Sequence, residues 1–491
     1  MPHLSASYAI TARIKMGIGP DVFSKISRAI AEVGADVEAI DLVEVGGNYS
    51  IRDFTIACSS QEHSQQVIEA LRALEGIELI HVSDDTFLLH LGGKIRVQPK
   101  IPIRTRNDLS MAYTPGVARV SEAIAEDPKK VWNLTVKRNT VAIVTDGSAV
   151  LGLGNLGPEA ALPVMEGKAM LFKEFAGIDA WPIVLRDVKD PERLVEVVVV
   201  LSPGFGGINL EDIAAPRCFY VEERLSEVLD IPVFHDDQHG TAIVVLAAAI
   251  NAAKVVGKDL REMKVVVQGI GAAGIACTKL LMAYGVQHFI GVDKEGIITR
   301  DELYPGQAGK QWYAEHTNPE RIRGKLRDAL KDADMFLGVS APNTVTVEDL
   351  KVMAKDPIVF ALANPVPEIA PEEAAKVAAV VATGRSDYPN QINNVLAFPG
   401  VFRGALDVQA EEINLEMKIA AAEALAQVIR PQELSPDYIV PSVFNREVVK
   451  KVSRAVAEAA ALSGVARRKL REAPLEEEEV GRYSPGQGFG G

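Results

Sequence analysis

Cysteine is scarce in this chain: three residues in 491, Cys58, Cys218 and Cys277, far apart. That spacing suits neither a disulfide framework nor a thiolate metal site, so the chain reads as a reduced, cytoplasmic protein. Positive charge is also short. Lys and Arg total 52 against 66 Asp and Glu, a net charge of −14, which excludes a nucleic-acid surface as the expected partner. No apolar run approaches the roughly 20 residues of a membrane span. The longest is Ala242 to Ile250, and the opening MPHLSASYAITARIKMG lacks the apolar core of a signal peptide. No internal repeat is visible. What remains is a hydrophobic content of 48%, ample for large cores, in a chain long enough for about two to four domains.

The most informative segment is Lys264 to Asp293, KVVVQGIGAAGIACTKLLMAYGVQHFIGVD. A strand of Val265, Val266 and Val267 runs into Gly269, Gly271 and Gly274. In such a turn the first glycine permits the tight bend and the second lets backbone approach a pyrophosphate. The third lets helix pack on strand. A helical stretch follows, then the apolar run Phe289 to Val292, ending on Asp293, 19 residues past Gly274 (293 − 274). A carboxylate there can bind a ribose 2′-hydroxyl. The expected cofactor contacts are Gly269, Gly271, Ala272, Ala273, Gly274 and Asp293. Asp293 repels a 2′-phosphate and favours NAD; Lys294 beside it attracts one, which leaves NADP open.

Three blocks and a tail can be read. Residues 1–90 alternate as strand, helix, strand, strand, helix, strand, with strands at Tyr8 to Ile14, Val37 to Val45, Ser50 to Cys58 and Ile77 to Val82. This βαββαβ order predicts a small antiparallel sheet with two helices on one face, a ferredoxin-like unit. Residues 91–107 form a basic linker. Residues 108–240 alternate α and β, with strands at Val141 to Val144, Pro182 to Leu185 and Ile231 to Phe234. Residues 241–465 begin with a helix, Thr241 to Val256, and carry the glycine turn and further strands at Met335 to Val339, Ile358 to Ala363 and Val377 to Ala382. Apolar strands between helices predict parallel sheets covered on both faces, an α/β class with a Rossmann-type doubly wound domain. The tail, 466–491, holds Glu476 to Glu479 and is expected to be disordered.

Two acidic pairs precede the nucleotide unit, Glu211-Asp212 and Asp236-Asp237. The second follows a strand, at the carboxyl end where α/β sheets expose their sites. Carboxylates gathered there repel without a cation, and oxygen ligands suit Mg²⁺ or Mn²⁺. Neighbouring side chains diverge, so one Asp of the second pair would bind metal while the other orients a partner. The alternative for each pair alone is a helix cap or a solvated turn. His235 and His239 read as structural. In the helical segment ALPVMEGKAMLFKEF, Lys168 falls on the apolar face with Val164, Leu171, Phe172 and Phe175. If buried, the amine loses its charge more readily and can accept a proton near neutral pH; if its stem snorkels, it is only a surface lysine.

GLGNLG, Gly152 to Gly157, also fits Gly-x-Gly-x-x-Gly but stands away from its strand, and Asp187 lies 30 residues past Gly157 (187 − 157). It reads as a flexible loop over a substrate carboxylate. Tyr113 sits in the turn Tyr113-Thr114-Pro115-Gly116, Asn364 ends a strand, and Asn393-Asn394 precedes Phe398-Pro399-Gly400. A tyrosine can donate a proton, and amides at strand ends can hold a carboxylate and a carboxamide; each residue type is also common in ordinary turns.

Together, SMAYTPGVA, TDGSAVLGLGNLGP, ALPVMEGKAMLFKEFAG, INLEDI, FHDDQHGTA, VVQGIGAAG, FALANPVPE and INNVLAFPG, in this order over about residues 100–465, resemble the malic enzymes of the smaller prokaryotic type. The resemblance implies oxidative decarboxylation of L-malate to pyruvate and CO₂ with NAD or NADP and a divalent metal, in a dimer or larger. By that match Tyr113 looks like the general acid and Lys168 the general base, with Asp236 supporting the lysine. Glu211, Asp212 and Asp237 look like metal ligands, Asn364 and Asn394 like substrate contacts, and Asn393 like a cofactor contact. Larger malic enzymes carry an arginine where this chain has Ser148-Ala149-Val150, so the substrate carboxylate is held differently. The first block resembles an ACT domain, through its element order and Gly17-x-Gly19-Pro20; a small-molecule effector there is the implied partner. Three other readings remain: a related decarboxylase acting on tartrate or oxaloacetate, another two-domain nicotinamide enzyme such as an amino-acid dehydrogenase, which leaves the acidic pairs unexplained, and a non-catalytic ACT-regulated dinucleotide sensor.

Overall fold

A computed structural model describes residues 5–150, 152–186 and 190–469. Asp187 and the acidic tail from 470 onward lie outside the described residues. The chain divides into two compact units between Arg96 and Val97.

In the first unit, β1 (Ser5–Gly17), β2 (Asp36–Val45), β3 (Tyr49–Cys58) and β4 (Ile77–Asp84) form one antiparallel sheet in the order β2-β3-β1-β4. Strand side chains alternate between faces. Alternate β1 residues Ile10, Ala12, Ile14 and Met16 are accordingly buried with Ile26 and Ile30 of the helix Pro20–Glu32 and Val67 and Leu71 of the helix Gln61–Arg72. The predicted ferredoxin-like arrangement is the observed one.

The second unit holds two sheets. β5 (Thr140–Thr145), β6 (Asp179–Val184), β7 (Gly207–Leu210) and β8 (Val233–His235) are parallel in the order β6-β5-β7-β8. The next sheet contains β9 (Lys264–Gln268), β10 (His288–Asp293), β11 (Gly296–Ile297), β12 (Met335–Gly338), β13 (Ile358–Ala361) and β14 (Val380–Thr383). Its order is β11-β10-β9-β12-β13-β14, parallel except for the short β11. Counting from β9, this is the 3-2-1-4-5-6 order of a doubly wound dinucleotide fold, with its crevice where the order reverses between β9 and β12. β14 starts three residues later than its apolar run suggests, because the Val377 amide still closes a helical turn on Ala374.

Between the sheets runs the helix Asp236–Val256. It begins directly after β8, five residues ahead of the expected Thr241. Acidic side chains in a first turn are favoured by the helix dipole, so Asp236 and Asp237 belong to the helix and not to a turn before it. With both extensions, the apolar run becomes a 21-residue helix long and apolar enough to cross a membrane, but 72% of its most apolar window is buried inside the protein. That is the condition of a core helix, apolar on every side.

Candidate active site

Pro158 opens the helix Pro158–Ala176, and Gly177, at φ 63°, closes it. Its buried stripe is Ala161, Met165, Lys168, Ala169 and Phe172. Lys168 is 7% exposed and does not snorkel. Its Nζ lies 2.5 Å from Asp236 Oδ2 and 2.9 Å from Glu211 Oε1, over the Phe398 ring at 4.2 Å from its centre. The expected fall in its pKa is overturned. Burial does act against the ammonium, but Asp236 and Glu211 outweigh it and hold Lys168 above the usual lysine value. Burial lifts the carboxyls of Asp236 and Glu211 in turn, with Lys168 pulling the other way. The lysine and its two carboxylates thus form one buried proton-sharing group. Leaving its charges unpaired would cost about 3–5 kcal/mol.

Glu211 and Asp212 follow β7, while Asp236 and Asp237 follow β8. These strands are parallel neighbours, so both pairs emerge at the same carboxyl edge. One carboxylate oxygen each from Glu211, Asp212 and Asp237 lies within 4.8 Å of the others. The Asp212 amide donates to Asp237 Oδ2 at 2.9 Å, and Asn209 Nδ2 donates to Glu211 Oε2 at 2.9 Å. Asp212 takes φ 54°, a left-handed conformation that Asp tolerates better than most residues. Three hard oxygen donors from adjacent strand ends, two of the residues only 4% exposed, fit an octahedral Mg²⁺ or Mn²⁺ with positions left for a chelating ligand. Asp236 turns away from this trio, as expected of neighbouring side chains. It is fully buried, its Oδ2 accepts from both Lys168 and Asn394, and its Oδ1 has no hydrogen-bond partner among the described residues. His239 Nε2 lies 2.8 Å from Glu222 Oε1, and that carboxylate also accepts from the His235 backbone amide and Gln238 Nε2, whereas the buried His235 ring has Nδ1 3.8 Å from Asp237 Oδ2 and no hydrogen bond at either ring nitrogen among the described residues.

The glycine loop after β5 is stapled to the acidic edge. The Ala149 amide donates to Asp212 O, and the Ala214 amide donates to Ser148 Oγ. Gly152 abuts the Asn364 carbonyl, with φ 75°, and a Cβ there would sit 2.8 Å from that oxygen. Asn364 is exposed beside this loop and Gly384. Asn393 uses its side-chain oxygen to cap the 3-10 turn Asn394–Leu396, which aims Asn394 at Asp236.

At the dinucleotide turn the three glycines do three jobs. Gly269 has φ 101° and no room for a Cβ beside Val339 O. Gly271 faces open space, and a Cβ on Gly274 would lie 2.0 Å from Gly269 O. Ala272 packs against the core of the β5–β8 sheet, and Ala273 is half-buried next to it. The helix that starts here, Ala272–Tyr284, packs along the helix whose first turn carries Asp236 and Asp237. Asp293, at the end of β10, is ion-paired with Lys310, and both line a small cavity with Thr299 and Tyr304. Lys294 donates only its backbone amide to Asp293.

The structure therefore gathers Lys168, Glu211, Asp212, Asp236, Asp237 and Asn394. It does not bring Tyr113 to them: Tyr113 is 65% exposed, and no hydrogen bond or ion pair of Lys168, Glu211 or Asp236 among the described residues reaches residues 97–126. Sequence reasoning missed Asn209, Phe398 and Lys310. The first two stood inside the motifs already singled out. Lys310 lies 17 residues past Asp293 (310 − 293) in a stretch with no pattern.

Residues 92–226 match the malic enzyme N-terminal domain and residues 238–461 the malic enzyme NAD binding domain. The NAD-dependent malic enzyme of Geobacillus stearothermophilus is 58% identical over 94% of this chain and 96% of that protein. The bifunctional malic/malolactic enzyme of Bacillus subtilis is 56% identical over 76% of this chain and 92% of that protein. The solved NAD-dependent malic enzyme of Thermotoga maritima superposes with a TM-score of 0.74 at 50% identity, covering 77% of this chain and 99% of that one. A buried lysine between two carboxylates, a three-oxygen cluster and a dinucleotide turn thus sit in a chain that belongs to the malic enzyme family.

Proposed function

We propose that this chain oxidatively decarboxylates L-malate to pyruvate and CO₂, with NAD as the preferred oxidant and Mg²⁺ or Mn²⁺ as the metal. The observation that carries the reading is Lys168, buried between Asp236 and Glu211 at the edge of the oxygen cluster. Glu211, Asp212 and Asp237 would hold the cation. When bound, the cation supplies Lewis-acid polarisation at the substrate oxygens and the nicotinamide supplies the hydride acceptor. Lys168 would take the proton of the C2 hydroxyl as C2 is oxidised only after its own proton has passed to the carboxylate of Asp236 or Glu211, with which it is in direct contact. Asp236 and Asn394 fix the direction in which that amine points. Loss of CO₂ from the resulting β-keto acid leaves an enol whose C3 needs a proton, the role that the family resemblance gives to the Tyr113 hydroxyl. Asn364 and the Gly152 loop would face the substrate, and Gly269, Gly271, Ala272, Ala273, Gly274, Asp293 and Asn393 the dinucleotide.

The antiparallel sheet of the first unit, ordered β2-β3-β1-β4, supports an ACT-like regulatory domain for a small-molecule effector. Titrating single amino acids against malate affinity and turnover tests it, and no effect from any of them removes the assignment. Three free, buried cysteines support a cytoplasmic location. The main reading is tested by following NADH and NADPH formation with malate and Mn²⁺, with and without EDTA. Turnover with malate that stops with EDTA supports it. Turnover that survives EDTA, or occurs only with tartrate or oxaloacetate, overturns it. Lys168→Ala is expected to lose about 10²-fold or more in turnover, and a near-normal rate removes the lysine from its role.

A further inference from the structure

Glu368 is a buried carboxylate that the site described above does not use. It has no exposed surface, and no cation pairs with it among the described residues. Its Oε1 accepts from the Ser340 amide at 2.7 Å and from Ser340 Oγ at 3.1 Å, and its Oε2 accepts from the Ala363 amide at 3.0 Å. Its own segment is fixed, since the Val345 amide donates to Glu368 O and the Asn343 amide to Pro367 O. Space for the carboxylate comes from Gly338, the last residue of β12: a Cβ there would lie 2.6 Å from Glu368 Cδ. Burying a charge without a counter-ion is costly unless hydrogen bonds replace its water, and a side chain that only filled this gap would be apolar.

The carboxylate joins two parts of the site. Ser340 follows β12, on one side of the crevice where the strand order reverses, and a Cβ on Gly269 would lie 3.0 Å from Ser340 Cα. Ala363 follows β13 and precedes Asn364, whose carbonyl abuts Gly152. Both sides offer backbone N–H groups, so whatever ties them must accept at both ends. An ionised carboxylate has two acceptor oxygens and no donor, whereas a Gln of the same size has one acceptor and one donor group. Hydrogen bonds to an ionised acceptor are also about twice as strong as neutral ones.

We propose that Glu368 is a positioning residue for both ligands, one oxygen setting Ser340 against the cofactor turn and the other setting Asn364 towards the substrate. It touches neither ligand itself. The inference rests on the reading of Asn364 as a substrate contact and of the Gly269 turn as the dinucleotide site.

Two variants of the full-length protein separate the two oxygens. In Glu368→Gln the amide oxygen is drawn to Ser340, which offers two donors, and the NH₂ group is left facing the Ala363 amide. Asn364 is then displaced and the cofactor side is not. With Mn²⁺ and saturating NAD, kcat/KM for malate is expected to fall by about 10²-fold, as for a displacement of about 1 Å. Kd for NAD, read by calorimetric titration, should stay within about twofold of the wild type. In Ser340→Ala the Oγ bond to Oε1 is lost and Oε2 keeps Ala363. There Kd for NAD is expected to rise by roughly 2- to 12-fold, with kcat/KM for malate at saturating NAD within about twofold. A purely structural Glu368 moves both readouts together in each variant, or moves neither, and either result overturns the proposal. Should Glu368→Gln fail to fold, the split in Ser340→Ala still supports or refutes it. A wild-type protein that does not oxidise malate removes the reading of the site and the substrate half of the proposal with it, and the two NAD titrations still decide the cofactor half.

Discussion

Gly274→Ala and Gly271→Ala are the same chemical change three residues apart, and the geometry gives them opposite consequences. At Gly274 the added Cβ falls 2.0 Å from Gly269 O and 3.1 Å from Gly269 C. A carbon–oxygen contact settles at about 3.3 Å or more, so helix and turn must separate by roughly 1 Å. Overpacking of that kind costs about 1–3 kcal/mol. In a dinucleotide domain of roughly 200 residues this lowers Tm by about 2–12 °C, with no cofactor present. At Gly271 no heavy atom lies within 4 Å of the added Cβ, and φ is −103°, open to any residue. The apo protein should unfold within about 0.5 kcal/mol of the wild type. The methyl group instead occupies the space through which a pyrophosphate approaches the helix N-terminus. A similar steric penalty is then felt only in the complex, weakening NAD binding by roughly 5- to 150-fold. Thermal unfolding of the apo proteins and calorimetric titration with NAD separate the two effects. A Gly274→Ala protein as stable as wild type refutes the packing argument, and a Gly271→Ala protein with native affinity refutes the placement of the cofactor.

Three further expectations can be checked independently. Lys310→Ala leaves the Asp293 carboxylate without its ion pair, so NADP efficiency should fall about tenfold or more relative to NAD; an unchanged ratio in steady-state kinetics shows that the pair does not face the ribose. Glu222 is partly buried, which alone would raise its carboxyl, yet His239 and Lys418 hold it down to about 2. A lowered pKa contributes stability that is present above about pH 4.5 and is lost as pH falls towards 2, about 3 kcal/mol in all. Glu222→Gln should therefore flatten the fall in urea-unfolding stability between neutral and acid pH, and identical profiles would discard the assignment. Finally, Mn²⁺ at about 100 times its Kd should stabilise the protein by roughly 2.7 kcal/mol, a shift in Tm that Asp237→Asn should abolish; an equal shift in that variant moves the metal elsewhere.

What the sequence made legible was local. The strands of the first unit and the glycine spacing after β9 depend on neighbours a few residues away and are found as expected; the stripe of Lys168 is shifted, since only Phe172 of its expected companions is buried, with Ala161, Met165 and Ala169 in place of the half-buried Val164, Leu171 and Phe175. β7 escaped notice because it is only four residues long and its apolar pattern has no room to repeat. The start of the helix at Asp236 was misplaced because acidic residues read as a turn, although they are also favoured in a first turn. The environment of Lys168 was out of reach for a different reason. Its partners Glu211 and Asp236 lie 43 and 68 residues further on (211 − 168 and 236 − 168). Burial and charge pairing act on a lysine in opposite directions. Without knowing which carboxylates arrive, the sign of the shift cannot be fixed, and burial alone gives the wrong one.

The same cluster shows why the fold keeps an arrangement that stability alone would not choose. Glu211 and Asp236 flank one buried lysine with Asp212 and Asp237 beside them, and three of the four are at most 4% exposed. Replacing a buried ion pair by well-packed apolar residues is often neutral or stabilising, and the surroundings of Lys168, with Phe172 and Phe398 in ring contact, offer that packing. A second departure lies in Asp236 Oδ1, a buried oxygen without a hydrogen bond among the described residues, a defect that costs about 1–3 kcal/mol. Both depart from the rules that the rest of the second unit obeys, and such departures concentrate at functional sites. Three carboxylate oxygens gathered within 4.8 Å of one another are what a divalent cation requires of a site, and a lysine held between carboxylates and a phenyl ring has no purely structural reason to be there. The energetic faults of the site are thus an argument for its chemistry, independent of any likeness to other proteins.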